Sequence, residues 1–468
     1  MSRGKRIGLW FLLVLAGLLV AARLSVPPWP KRLPDVRIEP SRPILREEAL
    51  TTNNAFYFIN AATNFDKLPS IGSVPDEYKA FRYIGWSSGA YTQLEAIVMQ
   101  NTPVFELLRR AAEMTNAQVV TAGSVTSLVS YVSTALKQLK TLCFLAEWEA
   151  GRGDWKSAAA DYRTVLHVSD QLSRGGPLIS VLVDYACSAV ACQSMRRATL
   201  ASKTPPAALK ELAGTLLDID RHVEPLAEAM RYERLASQDA VRMVRGGDVP
   251  RLMSLDGESH GSPWRVFGAL CRAGLLRSTP AHFDAVYSQI IALADEPWSL
   301  DRTFRGLVPP FPSGNPVRFV GALLDDPVGR VLINILVPAL DNAREVFFIY
   351  RARLRGTALF LAVRAYQLDH RGQPPVALAD LAPGYIDGLP ADPFGKGGAR
   401  FAYSVTGDSW MVYSVGPNQR DDEGRYDWNF ETDRRDHADS LDVCFSSAEF
   451  ARERDEYLKR SQPPASVK

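Results

Sequence analysis

The sequence predicts a mainly α-helical protein built in three parts: an N-terminal membrane anchor, an irregular or repeat-like helical domain, and a small α+β module. Three observations carry this reading. The uncharged, mostly apolar run Ile7 to Ala22 follows Arg3, Lys5 and Arg6 and stops at Arg23. From Glu47 to about Glu296, apolar residues recur at helical spacing between Gly, Pro and Asn breaks, and alternating stretches are scarce. Near the end, the strand-like runs Met411-Val-Tyr-Ser-Val415 and Leu441-Asp-Val-Cys-Phe445 bracket an acidic loop.

Residues 1–22 read as the anchor. Sixteen helical residues span about 24 Å, short for a bilayer core but sufficient with snorkelling flanks. The basic residues lie before the run, so they stay cytoplasmic and the rest of the chain is expected outside, on the periplasmic side of an inner membrane. Val20 and Ala22 also offer the small residues of a cleavage site, which keeps a cleaved signal peptide as the alternative. Residues 23–46 carry Pro27, Pro28, Pro30, Pro34, Pro40 and Pro43 and predict a stiff, extended linker.

The all-α domain is expected over 47–296, with helices over Ala90–Met114, Val125–Ala150, Asp154–Leu172, Leu178–Ser202 and Pro205–Val244. Within it, Leu142, Leu145, Ala146, Gly153, Trp155, Ala158 and Tyr162 resemble one tetratricopeptide-type helical hairpin, with a looser echo at Asn54–Ala62. Stacked repeats need about three units, so an array and an irregular bundle both stand. Residues 297–326, rich in Pro and Gly, predict a boundary loop. A second unit, 327–445, opens with a helix from Pro327 to His370, broken or kinked at Pro338. Arg351, Arg353, Arg355 and Arg364 interrupt its apolar runs, making it a core helix that packs on the following sheet. Residues 446–468 form a charged tail.

Composition narrows the function. Hydrophobic content of 46% and charged content of 23% suit a folded domain, and a net charge of +2 gives no reason to expect nucleic acid. The five cysteines form no CxxC or Cys/His cluster, leaving one or two disulfides or buried thiols. None of the six histidines has metal-ligand spacing. Gly85-Trp86-Ser87-Ser88-Gly89 matches the serine-hydrolase elbow, but lacks the surrounding βαβ pattern; Ser87 as a helix cap explains the same residues. The pairs Asp218/Asp220 and Glu147/Glu149, two apart on helices, read as solvated surface. No small-molecule substrate is identifiable, and an enzyme is not the expected class.

The run from Asp392-Pro-Phe-Gly to Tyr413-Ser-Val-Gly-Pro-Asn-Gln-Arg-Asp-Asp-Glu-Gly424, preceded by a long helix, resembles the C-terminal half of the type II secretion major pseudopilin. The resemblance covers about residues 355–445. It implies a pilin-like α+β fold, a calcium loop and pilin-like subunits as partners. Carried over, Asn418, Asp421 and Asp422 match the first ligand cluster, and Asp439 and Asp442 the later acidic pair. The residues themselves agree with a hard cation: nine acids and four arginines lie between Arg420 and Asp442. Arg434 and Arg435 offer a metal-free way to balance the acids. The family's processing site has Gly followed five residues later by Glu; here Gly4 leads to Leu9. The expected role is a membrane-anchored scaffold or interaction protein of a bacterial envelope, or an accessory of a secretion or pilus-like machine.

Overall fold

The computed structural model describes residues 18–22, 25–26, 28–84, 91–120, 129–201, 203–246, 279–308, 315–323, 325–407, 409–425, 428–429, 434–435, 442–448, 450, 454–455 and 457–459. The helical periodicity becomes α1 (Ala55–Thr63), α2 (Pro75–Ile84), α3 (Thr92–Gln100), α4 (Thr102–Ala112), α5 (Val129–Gly151), α6 (Trp155–Ser173), α7 (Leu178–Ala201), α8 (Pro206–His222), α9 (Leu226–Gly246) and α10 (Thr279–Ala294). Two expected helices are each divided, at Asn101 and at Val223–Pro225. Pro103 and Pro225 cause this: a proline has no N–H to donate, so it sits in or beside a first turn and not inside a continuing helix.

The expected hairpin is α5 and α6. Gly153 turns the chain at φ +88°, a left-handed value that suits glycine. Asp154 then caps α6 by accepting a hydrogen bond from the Ser157 N–H at 3.2 Å. Ala146, Ala158 and Tyr162 are fully buried along the hairpin. The small alanines let α7 close over them, and the Tyr162 hydroxyl meets Ser194 Oγ at 2.9 Å. Leu178–Leu200 of α7 is, among the described residues, the stretch long and apolar enough to cross a membrane. It is mostly buried between α5, α6 and the last long helix, as a central core helix is.

That last helix, α12 (Pro327–Asp369), follows the short α11 (Pro316–Leu323). It holds 43 residues, about 65 Å. Asp326 caps it from a left-handed conformation, φ 52°, accepting from the Gly329 N–H. The helix runs on through Pro338 and does not break there. Ile333, Val337 and Leu340 are buried on either side of that proline. Each such side chain contributes about 1.5–3 kcal/mol, which offsets the roughly 3 kcal/mol a mid-helix proline costs.

α12 packs on α8 and α7 along one part and on the C-terminal sheet along another, as its arginine-interrupted sequence predicts. The sheet is antiparallel, in the order β1 (Ala402–Thr406), β2 (Ser409–Ser414), then a returning strand, Val443–Ser446. Between them a two-residue ribbon pairs β3 (Trp428–Asn429) with β4 (Arg434–Arg435), which makes the returning strand β5. Gly356 of α12 lies under Phe445 of β5, where a side chain would meet the ring. One apolar core runs from Ile38 through α4–α10 to Phe445, so both expected units contribute to it.

Several expectations change in detail. The Pro-rich segment is extended but strapped down. Its carbonyls at Lys31, Arg37, Ile38, Arg42 and Pro43 accept hydrogen bonds from Gln289, Arg231, Arg234, Tyr232 and Gln118. Extended prolines leave carbonyls unpaired, and α9, α10 and Gln118 supply the donors. Residues 297–326 are not a bare loop: Phe304 is fully buried, and its N–H is accepted by Asp341 of α12. The two-apart acids are not all solvated either. Asp220 is buried and takes Arg351 and Arg355 of α12 at 2.8 Å each; Glu147 is buried against Arg197. Spacing of two puts one acid of each pair on the inner face, where an arginine from another helix meets it. Cys143, Cys187 and Cys192 are buried free thiols, and burial pushes Cys187 up to about 12.

A candidate cation site in the C-terminal loop

The site rests on a knot at the end of β2. Asp392, from the Asp-Pro-Phe-Gly run, is buried; its carboxylate accepts from Ser414 Oγ at 2.6 Å, the Phe394 N–H at 3.0 Å and the Val415 N–H at 3.0 Å. Burial raises its pKa, and these donors oppose the shift. In the sequence this aspartate stands in a recognisable run, but nothing near it along the chain marks its role. Gln419 donates to the Phe394 and Trp298 carbonyls, and Trp298 Nε1 donates to Pro417 O at 2.8 Å. The loop therefore leaves the sheet from a fixed position.

Four of the five sequence-predicted ligands come together there. Asn418 Nδ2 donates to Asp422 Oδ2 at 2.8 Å, and Asn418 Oδ1 accepts from the Arg420 N–H. Asp421 Oδ1 accepts from the Tyr413 hydroxyl at 3.1 Å and from the Glu423 N–H at 2.9 Å. Asp442 reaches across from the start of β5, its Oδ2 accepting from the Asp422 and Gly424 N–H groups at 3.1 and 2.8 Å. Positive φ at Gln419 (54°), Glu423 (60°) and Gly424 (73°) makes the turns that aim these N–H groups inward. At Gly424 the left-handed φ strains any other residue, and a Cβ there would also have to displace the end of the Met411 side chain. Asp439 and Ser87 lie outside the described residues.

Asp442 stands apart from its neighbours. It is 3% exposed, and its Oδ1 is buried without a hydrogen-bond partner. Burial pushes its pKa up to about 6, with Asp422 and Asp421 adding to the rise and the Gly424 N–H opposing it. The Tyr413 hydroxyl beside Asp421 is pushed up to about 12, by burial and then by that carboxylate. Among the described residues, no three acidic, histidine or cysteine side chains converge closely enough to hold a metal unaided. The donor set suits a hard cation in chemistry, being carboxylate and amide oxygen, and the unpartnered Oδ1 is the atom such a cation would satisfy. Arg434 and Arg435, the alternative counter-charges, sit in the two-residue ribbon opposite Trp428 and Asn429.

Comparisons with protein-family models, with curated proteins and with solved structures find no match to this chain.

Proposed function

We propose that this chain is a membrane-anchored, extracytoplasmic scaffold protein whose C-terminal α+β module is locked by calcium at the Asn418–Asp442 loop. The observation that carries the reading is the buried, unpartnered Oδ1 of Asp442 beside Asp421 and Asp422. An ionised carboxylate held this way is costly unless a cation offsets it. Asn418, Asp421, Asp422 and Asp442 would hold the ion, with Asp439 as a further carboxylate. When bound, calcium supplies positive charge and a wide oxygen-seeking shell. The residues do the rest: Asp442, the residue before β5, ties the loop's Asp422 and Gly424 to that strand, and Asp421 ties it to Tyr413 on β2. The apolar run behind three basic residues supports the anchor and the exported orientation.

Two measurements test this. A reporter fused after Lys468 should be active only outside the cytoplasm. Excess calcium should raise the melting temperature of the full chain, by about 2.7 kcal/mol of stability at a hundredfold excess over its dissociation constant. Magnesium should do much less, because it dehydrates reluctantly. Asp442→Asn should remove the shift. Identical melting in calcium and in chelator would mean that the loop balances its charge without a metal.

A further inference from the structure

A second acidic site lies far along the chain from the loop. The cleft between α3 and the α5–α6 turn has a volume of about 510 Å³, within the range of ligand pockets. Glu95 and Met99 come from α3, Trp148 and Glu149 from the end of α5, and Arg152 and Asp154 from the turn. Three carboxylates thus meet one guanidinium. Met99 is 75% exposed at the cleft, and Trp148 supplies an aromatic ring. Glu149 Oε2 is shut off from solvent and has no hydrogen-bond partner. The neighbouring cation on α4, Arg109, is already held by both oxygens of Asp161 at 2.8 Å.

We infer that this cleft binds a guanidinium or ammonium group carried on an aliphatic stem. The cation would pair with Glu149, lie within the field of Glu95 and Asp154, and meet the Trp148 ring. The stem would run over Val98 and Met99, as long cationic side chains do on apolar surface. An anion is disfavoured by the carboxylates, and a purely apolar guest would leave the acidic lining without a counter-charge.

Binding is coupled to a proton. Burial, reinforced by Asp161, pushes Glu149 up to about 8, with Asp154 adding and Arg109 and Arg152 opposing. The charged groups around it are thus Asp161 on α6, Arg109 on α4 with Glu106 behind it, Asp154 and Arg152 on the turn, and Glu95 on α3. Near neutral pH Glu149 is mostly the neutral acid, and a bound cation makes it ionise and release that proton. Affinity should therefore rise about tenfold between pH 7 and pH 9. A guanidinium keeps its charge throughout that range, so the change reports Glu149.

The test is calorimetry on the full chain with butylguanidinium and with the peptide acetyl-Gly-Arg-Gly-amide. We expect saturable binding at one site, about tenfold tighter at pH 9 than at pH 7, with proton release at pH 7 seen as a buffer-dependent heat. Glu149→Gln should weaken binding and flatten the pH profile. Met99→Arg, at an exposed position that leaves the fold intact, should block the cleft with its own guanidinium. Tighter binding of the peptide assigns the site to an arginine or lysine of a partner polypeptide; equal binding assigns it to a free small cation. No saturable binding of either probe at either pH overturns the inference. So does a Glu149→Gln protein that binds as the parent does.

Discussion

Replacing Gly356 by alanine tests how α12 and the sheet are joined. A Cβ there would fall against Phe445 ring atoms Cε2, Cζ and Cδ2, the farthest of them only 2.5 Å away. Carbon atoms rest at about 3.5–4.0 Å, so the ring must retreat by more than about 1 Å. Phe445 is 1% exposed and lies beneath the Arg196 guanidinium, 5.2 Å from its ring centre, so retreat displaces β5 itself. Two effects compete. Alanine gains about 1 kcal/mol over glycine within a helix, and overpacking a filled core costs about 1–3 kcal/mol. With three ring atoms in conflict the upper end applies, and Gly356→Ala should destabilise by about 1–2 kcal/mol net. Gly214 in α8 is the control, because a Cβ there meets nothing within 4 Å. Gly214→Ala should stabilise by up to about 1 kcal/mol. Guanidinium chloride unfolding followed by circular dichroism would read both as midpoint shifts at constant slope. Gly356→Ala should also weaken the calcium response, since Asp442 directly precedes β5. If the two glycine variants shift the midpoint equally upward, the ring does not rest on the helix and the packing argument is wrong.

Asp220→Ala should cost about 3–5 kcal/mol, because it leaves Arg351 and Arg355 facing a buried position with no anion; a loss below about 0.5 kcal/mol would show that apolar packing alone joins α8 to α12. The calcium effect should depend on pH with a definite sign. Folding raises Asp442 from near 4 to about 6, so its neutral form is favoured in the fold and its contribution to stability falls as pH rises through that window. Calcium needs the ionised form, so at a hundredfold excess its stabilisation should be full at pH 7.5 and about half as large at pH 5, where binding is about tenfold weaker; an equal shift at both would exclude Asp442 as a ligand. Glu228→Gln weakens the grip on Ser41, whose N–H and hydroxyl it accepts at 2.5 and 2.7 Å. Trypsin should then cut faster at Lys31, Arg32 or Arg37 than in the parent, with cleavage elsewhere unchanged.

What the sequence made legible follows from the range over which each signal acts. Helix α6 is written locally: Gly153, Asp154 and the spacing of Trp155, Ala158 and Tyr162 lie within ten residues of one another. Strands β2 and β5 were legible for the same reason, and so was the acidic loop, whose residues cluster along the chain. Arginines at positions 351 and 355 mark a core helix that packs on the sheet, but nothing nearby marks Asp220 as their partner. Asp442 and Asp422 look alike in sequence. Only the fold makes the first buried and short of a partner, by placing it at the mouth of β5. Glu149 was missed because its neighbours come from α3, α4 and α6, and an acid two residues from Glu147 looks like an ordinary surface pair. Pro338 misled because its local cost is visible in sequence, whereas the burial that offsets it is not.

The strapped proline segment has a consequence in time. Arg37 waits for Arg231, 194 residues later, and Lys31 waits for Gln289, 258 residues later. At ordinary synthesis rates this is a delay on the order of 10–50 s. Throughout that interval the carbonyls of Lys31, Arg37 and Ile38 lack the side-chain donors that α9 and α10 later bring. The proline segment thus finds its place only after helices made long after it, and its closure over them is a late step of folding.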